Sequence, residues 1–91
     1  MKENISILVA DDHPMLLKGL TSELQHLDYV VYSATNGAQA LDLIISKNPT
    51  IAFLDINMPF LTGFEVIKKC QLASLKTKFI ILTSHKEKGF L

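Results

Sequence analysis

The sequence predicts an α/β protein, a doubly wound parallel sheet wrapped by helices. Three observations predict it. Four short runs rich in β-branched and aromatic residues recur along the chain with little polar alternation, as strands buried on both faces of a parallel sheet require. Segments with apolar residues at helical spacing separate them. Strand and helix signals therefore alternate, which is the pattern of successive βα units.

The first strand is read at Ile5–Ala10. Pro14 suits the first position of the helix that follows, where a missing N–H costs nothing, and Leu16, Leu17, Leu20, Leu24 and Leu27 supply its apolar stripe. The second strand is Tyr29–Ala34. Its helix starts at Asn36, with Gln39 in a capping-box-like relation, carries Ala40, Leu41, Ile44 and Ile45, and stops at Asn48-Pro49. The third strand is Ile51–Leu54. Thr62 and Glu65 form the reciprocal capping pair of the third helix, with Phe64, Ile67 and Cys70 facing inward. The fourth strand is Phe79–Thr83, and residues 86–91 read as the first turn of a fourth helix. No internal repeat, linker or low-complexity tract is present.

A chain of 91 residues with 48% apolar residues suits one domain with a single core. Nine basic against nine acidic residues leave no positive excess to attract nucleic acid. A single cysteine, Cys70, cannot form an internal disulfide and fits a reducing cytoplasm; its place on the inward face of the third helix reads as core. The short run Ile5–Ala10 ends in two aspartates rather than a cleavage site, and no apolar stretch approaches the ~20 residues of a membrane helix, so neither a signal peptide nor a membrane partner is expected. His13, His26 and His85 show no metal-ligand spacing, and His13 is read as a helix-start residue. Met58 is expected to shape the loop after the third strand, and Phe60 and Leu61 to be exposed on it.

In a doubly wound sheet, sites lie beyond the carboxyl ends of the strands, where strand order reverses. Polar residues gather at those ends: Asp11-Asp12 after the first strand, Asp55 and Asn57 after the third, Thr83-Ser84 after the fourth. If the first and third strands are neighbours, three carboxylates share one crevice. They repel one another, and a hard divalent cation with oxygen ligands relieves that repulsion. Mg²⁺ is the natural candidate because it takes a few carboxylates and keeps several waters. A carboxylate can act as nucleophile toward a phosphoryl group and give an acyl phosphate, with Thr83 as a hydrogen-bond donor to it. Taken singly, Asp11-Asp12 reads as a turn or helix-capping pair ahead of a metal site; the joint pattern points to function.

That pattern resembles a known family. Leu8-Val9-Ala10-Asp11-Asp12-His13 is similar to the start of receiver domains of two-component response regulators, especially those joined to LuxR-type helix-turn-helix outputs. Leu54-Asp55-Ile56-Asn57-Met58-Pro59 followed by Gly63 resembles their phosphorylation loop, and Ile80-Ile81-Leu82-Thr83-Ser84 their fourth strand. The resemblance runs from the first strand to the last residue. It implies a flavodoxin-like sheet of order 2-1-3-4, lacking the family's fifth strand and fifth helix. It implies Asp55 as phosphoacceptor for a histidine kinase; Asp12, Asp11, Asp55 and the backbone carbonyl of Asn57 as Mg²⁺ site; and Thr83 as the residue that senses the phosphoryl group. A DNA-binding output domain in a parent protein follows from family habit.

The family's catalytic lysine ends the fifth strand, and none of Lys78, Lys86 or Lys88 matches that position. Residues 1–91 are therefore read as a C-terminally incomplete receiver domain, whose phosphotransfer is expected to be weakened or lost for want of that counter-charge. The Phe79–Thr83 strand is then an exposed edge, and a homodimer through it and the start of the fourth helix is expected. Two alternatives stand beside a phosphorylation-controlled switch. One is a pseudo-receiver that works by protein contact. The other is a phosphatase with an aspartate nucleophile, which usually needs a second Asp where Asn57 stands. The chain is accordingly not expected to be an enzyme; any phosphotransfer is self-directed.

Overall fold

The computed structural model describes residues 5–82. Four parallel strands, β1 (Ser6–Ala10), β2 (Val30–Ala34), β3 (Ile51–Asp55) and β4 (Lys78–Leu82), form one sheet of order β2-β1-β3-β4. Helices α1 (Pro14–His26), α2 (Gly37–Lys47) and α3 (Gly63–Leu72) connect them. The chain steps one way from β1 to β2, then the other way through β3 to β4. Right-handed crossovers must therefore place α1 on one face and α2 and α3 on the other. The two apolar clusters follow this division. Leu8, Ala10, Ala52 and Leu54 pack with Ala40 and Ile44 of α2 and Val66 and Cys70 of α3. On the opposite face Ile7 and Val9 pack with Leu17 of α1.

The helix boundaries follow local chemistry. Pro14 opens α1. Asn36 caps α2, its Oδ1 accepting the Gln39 N–H at 2.8 Å. The Gln39 side chain bonds back to the Thr35 N–H at 2.8 Å, one residue earlier than a capping box would have it. Thr62 and Glu65 form the full capping box of α3. Asn48, in the left-handed region at φ 48°, ends α2 before Pro49. Asp28 and Ser74 take the same backbone region after α1 and α3. There Tyr29 and Leu75 N–H groups reach back to Leu24 and Cys70 carbonyls, the Schellman pattern that satisfies a helix end.

Four inward assignments are corrected. Leu16 and Leu27 are about half exposed, and the α1 stripe is Leu17, Leu20 and Leu24. Ile45 points outward while Gly37, Ala40 and Ile44 are buried. Phe64 is 58% exposed, and Val66 takes the buried place beside Cys70. In each helix the inward set, buried throughout in α2 and α3 and partly so in α1, repeats at i, i+3 and i+7, a narrower face than the sequence spacing allowed. The strand read at Phe79–Thr83 is observed as Lys78–Leu82; Thr83 and the start of a fourth helix lie outside the described residues. Among the described residues β4 pairs with β3 alone and is an edge of the sheet.

Candidate functional site

Strand order reverses between β1 and β3, and the crevice beyond their carboxyl ends is where such a sheet holds its ligands. Ala10 and Leu54 are register partners, and the next residue in each strand direction is Asp11 and Asp55. Both are buried, at 1% and 0% exposure. Asp55 is the last residue of β3, opposite Leu82 of β4. The Asp11 N–H donates to the Ala34 carbonyl at 3.1 Å, which carries the β1–β2 ladder one residue past the strand and fixes the Asp11 backbone.

One oxygen of Asp11 does local structural work. Its Oδ1 accepts the His13 N–H at 2.9 Å and turns the chain toward α1. His13 stands at the N-cap of that helix without a capping bond of its own, as the sequence reading placed it. Its Nδ1 lies 4.0 Å from the same oxygen. Asp12 is exposed. Asp11, Asp12 and His13 each offer one ligand atom, all within 4.8 Å of one another. His13 follows the acidic pair directly, and that adjacency is the sequence signal for its approach to the site, beside the helix-start role that the sequence reading put first. The carboxylates are hard oxygen donors, a set that fits Mg²⁺.

The loop from Ile56 to Thr62 carries Asn57, which is exposed, and Met58, which is buried and packs into the core under α2 and α3. The Gly63 N–H donates to the Ile56 carbonyl at 2.9 Å and closes the loop at its base. At the tip, the Leu61 N–H donates to the Pro59 carbonyl at 2.9 Å across Phe60, whose φ is 71°. An i to i+2 bond across a residue of positive φ is a γ-turn, rare and strained for an aromatic residue. Phe60 is 80% exposed and Leu61 partly buried, so of the two expected to be exposed only Phe60 is fully so. Thr83, Ser84, Lys86 and Lys88 lie outside the described residues. Remote from the crevice, Cys70 is buried against the core, and desolvation pushes its thiol pKa up.

Comparison with known proteins gives one family. The model of the response regulator receiver domain matches residues 7–90. The nitrate/nitrite response regulator protein NarL of Escherichia coli is 34% identical over 90 residues, covering 94% of this chain and 42% of the regulator. The chain thus spans less than half the length of that relative. Among solved structures, a LuxR-family DNA-binding response regulator from Staphylococcus aureus is 34% identical with a TM-score of 0.83, covering 94% of this chain and 73% of that one. The response regulator TrrA of Thermotoga maritima, solved in complex with Mg²⁺ and beryllium fluoride, is 38% identical with a TM-score of 0.80, covering 91% of this chain and 74% of that one.

Proposed function

The chain belongs to the response regulator receiver domain family, a family of phosphorylation-dependent signalling domains, and from that premise we propose that Asp55 is its phosphoacceptor. The observation that carries this reading is the pair of buried carboxylates, Asp11 and Asp55, at the ends of adjacent parallel strands where strand order reverses. A carboxylate oxygen of Asp55 forms a bond to phosphorus as the P–N bond of a histidine kinase's phosphohistidine breaks, and the imidazole leaves. The transfer modifies the domain itself, so the chain acts as a switch rather than a turnover enzyme.

Asp12 would hold Mg²⁺ directly, Asp11 through water or by its charge, and Asp55 and the Asn57 backbone carbonyl would complete the protein's share of ligands. When bound, Mg²⁺ neutralises charge on the phosphoryl group in transfer. Asp11 keeps Oδ1 on the His13 N–H, which holds the carboxylate's orientation. Thr83 is the residue assigned to sense the phosphoryl group. The partner is a histidine kinase; in a longer parent protein a DNA-binding output domain would read the switch. A cytoplasmic location and a homodimer through the β4 edge and the start of the fourth helix complete the proposal. No helix among the described residues is long and apolar enough to cross a membrane.

Beryllofluoride, which mimics a bound phosphoryl group, tests the assignment. A ¹⁹F signal of the bound species should appear only with Mg²⁺ and vanish in Asp55→Asn. Its persistence in Asp55→Asn would move the phosphoacceptor elsewhere. Its absence from the unaltered chain would favour a pseudo-receiver. Light scattering at high concentration tests the dimer, and a monomer would exclude it.

A further inference from the structure

The loop that carries Asn57 is held from outside as well as from its own base. Gly37, the first residue of α2, is buried, and its N–H donates to the Pro59 carbonyl at 3.1 Å. That carbonyl also accepts the Leu61 N–H at 2.9 Å. A Cβ on Gly37 would fall on the Leu61 carbonyl oxygen and within 2.6 Å of the Leu61 Cβ. The start of α2 therefore meets the γ-turn backbone to backbone. Gly37 has no positive φ to explain its glycine, since Asn48, Asp28, Phe60 and Ser74 are the described residues with positive φ. The need is for space.

We infer that Gly37 is a positioning residue of the acidic site: it seats the strained Pro59–Leu61 turn and thereby fixes the loop that presents Asn57 beside Asp55. The inference rests on the assignment of that site proposed above. Its physical basis is that a turn with an aromatic residue at φ 71° persists only where its surroundings hold it. Two elements hold this one. Gly63 pins the loop's base, where a Cβ would lie 2.5 Å from the Asp55 carbonyl oxygen, and Gly37 pins its tip. Between the pins lie Asn57 and Met58. A side chain at 37 must push Leu61 and Pro59 away from α2, and Met58-Pro59 transmits that shift to Asn57.

The test uses three variants of the chain. Gly37→Ala obstructs the seat. Asn36→Ala removes the cap that holds the start of α2, without adding an atom. Gly19→Ala is the control, because nothing lies within 4 Å of a Cβ there. Thermal melting reports whether each folds. In the metal-free protein, Gly37→Ala should shift the backbone amide resonances of Asn57 and Met58. Mg²⁺ affinity, followed by the same resonances, should fall about tenfold, the scale on which loss of a supporting partner weakens a metal site. Asn36→Ala should act in the same direction and less, and Gly19→Ala in neither way.

Unmoved Asn57 and Met58 resonances in a folded Gly37→Ala would overturn the inference, as would moved resonances with unchanged Mg²⁺ affinity. If Gly37→Ala does not fold, Asn36→Ala decides by the same criteria. If the unaltered chain binds no Mg²⁺, it is the site assignment that fails, and the two resonances alone then decide whether Gly37 seats the loop.

Discussion

The carbonyl oxygen of Asp55 lies 2.5 Å from the point that a Cβ on Gly63 would occupy, so the end of β3 and the start of α3 touch backbone to backbone. That contact sets the rotation of α3 about its axis. With Gly63 turned to the sheet, Val66 and Cys70 are buried and Phe64 faces solvent.

Gly63→Ala should therefore destabilise the fold by about 1–3 kcal/mol, the usual cost of overpacking, because the obstructing atoms are backbone and cannot rotate away. Urea unfolding measures it; a loss within error of zero would show that the loop relaxes freely.

The capping box predicts a smaller and separable effect. Thr62→Ala removes the bond to the Glu65 N–H and should cost about 1 kcal/mol. In a domain of this size that lowers the melting temperature by roughly 4–8 °C. Thr62→Ser, which keeps the hydroxyl, should recover most of the loss.

Neighbouring isoleucines in α2 should respond very differently to truncation. Ile44 is fully buried and Ile45 is 58% exposed. Ile44→Ala should cost about 2–5 kcal/mol, and Ile45→Ala well under 1 kcal/mol. Comparable losses at both positions in chemical denaturation would contradict the rotation of α2 described above.

Cys70 should resist alkylation in the native protein. Burial raises its thiol pKa, so the reactive thiolate is scarce as well as inaccessible. The folded value lies above the unfolded one. The associated stability is fully present below the unfolded pKa and is lost as pH rises through the folded one. Iodoacetamide labelling should keep pace with global unfolding; rapid labelling of the folded chain would show that α3 opens on its own.

Much of the fold was legible because its signals are local. Pro14, Asn36, Asn48-Pro49 and the Thr62–Glu65 pair each act within three or four residues, and each marks a helix end where the sequence predicts one. Asp28 and Ser74 ended helices without a glycine to announce them. Their Schellman bonds depend on where the chain goes next, which composition does not encode. The unforeseen part of the site is of the same kind. Gly37 and Leu61 lie 24 positions apart in number (61 − 37), and no spacing rule relates them.

The sequence by itself determined the order of elements, the helix ends with capping residues, and the presence of acidic residues at the ends of the first and third strands. Only the tertiary structure decided which apolar residues are buried and how the Asp55 loop is held. A helix repeats every 3.6 residues, so several stripes satisfy one sequence. The choice among them falls to backbone contacts between distant segments: Gly63 against Asp55, and Gly37 against Leu61.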